Sequence, residues 1–212
     1  MQLPPHEIIP AFPTPIYRST WADGPQHNPA LEREIDAMRE RDLAAAANNP
    51  QLAAVYRWEE YTSFFTDQRI HRHGWFAPLK AAIEAHVQRF CEQLSIDLGQ
   101  RRLTMLTSFA NIMSEPFHHH GRHIHTGSVI SGVYYIRAGE GAGQITFEHP
   151  AADHFMQDLT YSQPSLLTVP TISISPNAGE LVLFPSHLPH KVEQSFTEAK
   201  RVAVSINMGL TD

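Results

Sequence analysis

Apolar positions recur at helical spacing in the first half of the chain and at alternate positions in the second. The run Ala30 to Ala47 (ALEREIDAMRERDLAAAA) is a strong helix former with Leu31, Ile35, Met38 and Leu43 as its apolar stripe. Asn28 as N-cap and Pro29 at the first helical position predict its start, and Asn48-Asn49-Pro50 its stop. A second helix is predicted from about Pro78 to about Leu98, with Leu79, Ile83, Val87, Phe90 and Leu94 at helical spacing and Gly99 closing it. The proline-rich arm ending in Phe12-Pro13-Thr14-Pro15-Ile16-Tyr17 reads as an extended segment or edge strand. Tyr61-Thr62-Ser63-Phe64-Phe65 follows neither period.

After Arg101 the pattern changes. Segments near 102–113, 129–137, 143–148, 166–174, 180–184, 190–194 and 201–208 are short, β-branched and aromatic, with Gly and Pro between them. Helices first and strands afterwards, without βαβ alternation, predict an antiparallel sheet with the helices packed on it, an α+β and mainly β chain. In the last segment Arg201, Ala203, Ser205, Asn207 and Gly209 share one face, and Val202, Val204, Ile206 and Met208 the other. One long cation followed by small groups suits a narrow barrel mouth in which a single arginine reaches an anionic ligand. A salt-bridged surface arginine above a solvated face fits that strand equally well.

Composition narrows the class. The 212 residues are 42% hydrophobic, enough for a packed core, and no spacer divides them. The expected organisation is one domain over 1–212, with an arm and supporting helices over 1–100 and the sheet core carrying the site over 101–212. A net charge of −6 argues against a surface for nucleic acid or anionic membrane. No stretch reaches the roughly 18 apolar residues of a membrane span. The first residues lack a basic region followed by an apolar run, so no secretory signal is expected. Cys91 is the only cysteine, which excludes an internal disulfide and a cysteine-based zinc site and makes the cytoplasm the default compartment.

Histidine is the outlier, with 14 in all and five of them between His118 and His125. His123-Ile124-His125 is an H-x-H pair, and on a strand i and i+2 point the same way, so both imidazoles can reach one metal ion. His190 follows 65 residues later, far enough for intervening strands to bring it alongside. Imidazole suits iron, zinc, copper and nickel, so these residues do not choose the metal.

The surroundings carry a resemblance. Thr126-Gly127-Ser128-Val129-Ile130-Ser131-Gly132-Val133-Tyr134-Tyr135-Ile136 follows His125, and Gly179-Glu180-Leu181-Val182-Leu183-Phe184-Pro185-Ser186 precedes His190. Arg201, Ser205 and Asn207 come after it. This ordered set, with the Phe-Pro-Thr-Pro-Ile-Tyr opening, resembles a bacterial branch of the 2-oxoglutarate/iron(II) oxygenases. The resemblance implies a double-stranded β-helix, a jelly-roll or cupin-like barrel, with iron(II) on His123, His125 and His190. It implies 2-oxoglutarate held by Arg201 and Tyr135, with Ser205 and Asn207 beside it and Asn111 near its C1 end. It further implies hydroxylation of a small molecule or peptide by O₂, with release of succinate and CO₂. Three positions depart from the pattern. His125 stands where most of the superfamily has the carboxylate of a two-histidine triad, Thr126 replaces a proline, and Ala203 replaces a serine.

Two other classes share these ligands: a cupin-like three-histidine enzyme that does not use 2-oxoglutarate, and a non-catalytic metal- or small-molecule-binding barrel. Arg201 separates the first, which needs no arginine there. His118, His119 and His120 are expected on the loop or strand end entering the site. His187 is expected in solvent or behind the ligands, and His71, His73 and His86 at the surface. Glu148 is the fallback carboxylate ligand, more simply a solvated loop residue. A homodimer is compatible with all of this.

Overall fold

The computed structural model describes residues 7–10, 12–56, 60–151 and 160–212. The signal-segment expectation falls partly on residues 1–6, outside the described residues. No helix among those described is long and apolar enough to cross a membrane.

The alternation read from the sequence builds two antiparallel sheets. The larger runs β1 (Tyr17–Thr20), β8 (Glu180–Pro185), β5 (Ile130–Arg137), β10 (Arg201–Thr211), β3 (Arg102–Met113) and β2 (Tyr61–Thr62). The smaller runs β4 (His120–His123), β9 (His190–Val192), β6 (Ile145–Glu148) and β7 (Thr171–Ile174). Central strand β10 shows how one period serves two layers. Val202, Val204, Ile206 and Met208 join an outer core with Leu31, Ile35 and Met38 of α1 (Gly24–Ala46) and Leu79, Ile83, Val87 and Phe90 of α3 (Ala77–Gln93). Ala203 joins an inner core with Val133, Tyr135, Val182 and Phe184 of the same sheet and Ile145, Phe147 and Leu188 from the opposite side. The helices therefore cover one face of the larger sheet and the smaller sheet faces the other. Gly132 permits the close approach of β5 and β8, since a Cβ there would sit 2.6 Å from Leu183 Cδ2 and 2.8 Å from the Val182 carbonyl oxygen.

Several boundaries differ from expectation. α1 begins at Gly24 with Pro25 in its first turn, ahead of Asn28, and carries Pro29 inside. Asn28 is not the N-cap. Its Nδ2 donates to the Ile136 carbonyl at 2.9 Å and its Oδ1 accepts from the Tyr134 hydroxyl at 2.7 Å, pinning the helix to β5. Leu43 is 38% exposed, and the buried stripe passes instead through Asp42, whose carboxylate accepts from Tyr61 (2.8 Å) and Thr66 (2.6 Å). A short helix α2 (Pro50–Val55) follows the predicted stop.

α3 ends at Gln93, short of Gly99. The Ile96 N–H reaches back to Cys91 O and Ser95 N–H to Glu92 O, with Ser95 itself at φ +52°. This is the left-handed C-terminal closure usually given to glycine, here made by serine, and it turns Leu94 outward. The strand expected over 166–174 forms only at Thr171–Ile174, and β10 runs on to Thr211. The unassigned Tyr61–Phe65 stretch is β2 followed by a 3₁₀ turn, Ser63–Phe65.

Candidate metal centre

β4 aims the first histidine. Opposite β9 it pairs His120 with Val192 and His123 with His190, so two residues of β4, Gly121 and Arg122, oppose the single residue Lys191. Such a bulge lets residues three apart face the same side, and His120 and His123 both line the space between the sheets. β4 stops at His123, and His125 lies beyond it, its N–H donating to the Ser186 carbonyl at 2.9 Å. The H-x-H pair therefore straddles a strand end. Even so, its rings lie 5.0 Å apart and nearly parallel, at 17°. The His190 ring lies 4.3 Å from that of His123 and 4.9 Å from that of His125. One ring nitrogen from each of the three lies within 4.8 Å of the others, a cluster able to hold a metal ion.

Each ring is held from behind by an oxygen. His123 Nδ1 meets the Gly121 carbonyl at 2.7 Å, His190 Nδ1 meets the Leu188 carbonyl at 2.9 Å, and His125 Nδ1 meets Asn207 Oδ1. A carbonyl oxygen only accepts, so each imidazole carries its proton on Nδ1 and keeps the Nε2 lone pair for a cation. Behind His125 the Ser131 hydroxyl touches Nδ1 (3.0 Å), Asn207 Oδ1 (2.7 Å) and the Ser186 hydroxyl (2.8 Å), while Asn207 Nδ2 donates to Thr107 at 2.8 Å. Burial pushes His190 down to about 4 and lowers His125 as well, which keeps both rings neutral at ordinary pH.

A cavity of about 60 Å³ adjoins this cluster, lined among others by Asn111, Val133, Phe184, Arg201, Ala203 and Ser205. Arg201 is buried, and no carboxylate pairs with it among the described residues. Its guanidinium lies over the Tyr135 ring, 5.1 Å from the centroid, with one N–H directed at Met113 Sδ at 3.3 Å. Among the described residues, Arg201 Nε and the fully buried Tyr135 hydroxyl have no hydrogen-bond partner. Burial raises the Tyr135 phenol, and the adjacent guanidinium opposes that. A guanidinium cannot shed its proton, and a buried unpaired cation is costly by several kcal/mol, so this end of the cavity is built for an anion. Asn111 Nδ2 donates to Ser205 Oγ at 3.1 Å between the two ends.

Of the expected site residues, His123, His125, His190, Arg201, Ser205 and Asn111 line this space, Tyr135 lies beneath the Arg201 guanidinium, and Asn207 turns toward the His125 ring. Glu148 stands apart from the cluster, its carboxylate accepting from Arg122 at 2.6 Å. His119 and His187 are exposed, whereas His71 and His86 are half-buried, bonded at 2.8 Å to Ser108 and Tyr17 respectively. Sequence reasoning assigned no role to Ser131, Ser186 or Thr107. Ser131 shares the inward parity of Val133 and Tyr135, a hydroxyl among apolar positions, and that was the available signal. Glu60, which meets His120 Nε2 at 2.5 Å, gave none.

Facing antiparallel sheets bring three imidazoles beside a buried arginine that has no carboxylate partner among the described residues, an arrangement able to take one metal and one organic anion. Residues 107–207, just under half of the chain, match the family described as putative 2OG-Fe(II) oxygenase, and that match indicates a 2-oxoglutarate-dependent oxidoreductase that uses iron(II). None of the curated proteins compared matches the chain. Among solved structures, a Pseudomonas putida prolyl-4-hydroxylase is similar at 16% identity and a TM-score of 0.54, covering 92% of each chain. HygX from Streptomyces hygroscopicus with nickel and 2-oxoglutarate bound is similar at 11% identity and a TM-score of 0.54, over 92% of this chain and 82% of that one. Likeness at these identities shows a shared fold.

Proposed function

We infer that His123, His125 and His190 hold iron(II) through Nε2, and that 2-oxoglutarate lies between this centre and Arg201. The observation that carries the reading is the pairing of three Nδ1-anchored rings with a buried guanidinium that has no counter-charge among the described residues. The two sheets are then the halves of a double-stranded β-helix, and the chain is read as one domain over 1–212. When bound, the iron and 2-oxoglutarate supply oxygen insertion into a C–H bond, coupled to conversion of the co-substrate to succinate and CO₂.

The protein's own residues do the placing. Arg201 and the Tyr135 hydroxyl bind the distal carboxylate, a bidentate partner for the guanidinium. Ser205 and Asn111 line the space along the co-substrate. Asn207, backed by Ser131, Ser186 and Thr107, fixes the His125 ring instead of touching the co-substrate. Val133, Phe184 and Ala203 keep the wall apolar and exclude water. Three neutral imidazoles leave the metal charge uncompensated, which favours a dianionic co-substrate. With a net charge of −6, the substrate we propose is a small molecule or peptide and not a nucleic acid. A three-histidine enzyme that does without 2-oxoglutarate leaves Arg201 unexplained.

The test is an anaerobic titration of Fe(II) with and without 2-oxoglutarate. The expected result is a weak visible charge-transfer band that needs both, with each component tightening the other. Independent binding of the two, or no band, would overturn the chelated arrangement.

A further inference from the structure

A segment outside the family match packs against two residues that line the cavity. Phe109 lines the cavity, and Phe64 packs edge-on against it, ring centroids 5.1 Å apart at 78°. Phe65 continues outward from Phe64 at 5.3 Å. Phe64 is 39% exposed and Phe65 58%, so two large rings stand in water beside a residue that lines the cavity. On the same segment Glu60 reaches across to His120, which also lines the cavity. Only Glu60 Oε1 is engaged, and Oε2 has no partner among the described residues.

This segment is rigid by construction. Tyr61 and Thr62 pair with Ile112 and Asn111 on β3, and Tyr61 bonds the buried carboxylate of Asp42. The Ser63 hydroxyl donates to the Asp67 carbonyl at 2.9 Å and accepts from the Ala110 N–H at 3.1 Å. Exposed rings fixed this firmly beside a reactive centre are placed for contact, since an ordered scaffold lowers the entropy lost on binding. A carboxylate oxygen accepts N–H donors, and aromatic faces attract cations.

Building on the iron and 2-oxoglutarate reading above, we propose that Glu60, Phe64 and Phe65 form the substrate-recognition wall of this site. The substrate class is an aromatic ring, or a comparably flat apolar group, carried close to a protonated amine. The ring stacks on Phe64 and Phe65, and the ammonium meets Glu60. Because 60–65 lies outside the matched 107–207, this wall is a feature of selectivity and not of the shared oxygen chemistry.

The experiment uses protein loaded with Ni(II) and 2-oxoglutarate, which does not turn over, and isothermal titration calorimetry with three probes. Phenethylamine carries ring and ammonium, phenylacetate reverses the charge, and butylamine lacks the ring. Phenethylamine should bind about tenfold more tightly than either control. Glu60→Gln and the pair Phe64→Leu with Phe65→Leu should each weaken it by about fivefold or more, with 2-oxoglutarate affinity within about twofold of wild type. Equal binding of the three probes, or phenethylamine affinity untouched by these substitutions, overturns the proposal. The 2-oxoglutarate titration precedes the amine; its failure in the wild-type protein would instead remove the co-substrate reading, and the wall with it.

Discussion

His123 and His190 stand directly opposite each other in the β4–β9 ladder, with ring centroids 4.3 Å apart. The bulge at Gly121 and Arg122 creates this facing pair, and the Gly121 carbonyl released by it anchors the His123 ring. Two rings of the cluster are thus fixed by backbone geometry, and the third, His125, by an amide side chain on the other sheet.

Separate alanine substitutions of His123, His125 and His190 should therefore abolish stoichiometric iron after anaerobic loading, read by elemental analysis. His119→Ala and Glu148→Ala should keep it. Asn207→Ala leaves the ligand in place but frees its ring, and should weaken iron by about 10- to 100-fold. Iron retained in His125→Ala and lost in Glu148→Ala would restore a carboxylate ligand and sink the three-histidine centre.

Arg201 and Tyr135 make opposite demands on the free and loaded protein. Arg201→Ala should weaken 2-oxoglutarate by about ten- to a hundredfold, since a charge-assisted hydrogen bond is worth roughly 1.5–3 kcal/mol, while iron affinity changes little. Tyr135→Phe removes a buried hydroxyl that lacks a partner in the free protein. Its thermal midpoint without ligand should hold or rise, yet its affinity for 2-oxoglutarate should fall. Parallel losses of metal and co-substrate in Arg201→Ala would indicate a packing defect and not a lost carboxylate contact.

The parity of β10 set Arg201 on the face opposite four apolar residues but did not tell a buried arginine from a solvated one; the structure buries it. The cluster of His123, His125 and His190 was legible from residue type and spacing, although His125 lies past the end of β4, where the i, i+2 rule of a strand does not reach. The bulge was not legible, since Gly121 and Arg122 give no sign of how β9 will meet them. Asn207 was read as a co-substrate contact; its turn toward His125 depends on the β10–β5 register that sets it opposite Ser131. Glu60 and His120 meet across 60 residues of sequence, and no local pattern encodes that contact. The early end of α3 escaped because the left-handed closing residue is Ser95, where steric preference points to the glycine four positions on.

The depressed His190 gives the last prediction, on the pH dependence of the metal-free protein. In the unfolded chain this ring titrates near its ordinary 6.5; in the folded protein burial holds it down to about 4. Between those values the unfolded chain binds more protons, so acid favours unfolding. The contribution is fully present above about pH 6.5, declines as pH falls, and is gone below about 4. A gap of this size corresponds to about 3 kcal/mol. His125, lowered in the same direction by burial, adds to it. Urea midpoints of the metal-free protein should therefore fall across that window, and those of His190→Gln should fall less steeply, because an amide has no proton to gain. Carboxylates titrate in both proteins and cancel in the comparison. Parallel curves for the two would mean that His190 is not held neutral by its surroundings, and would remove the argument that its Nε2 lone pair is kept ready for a metal.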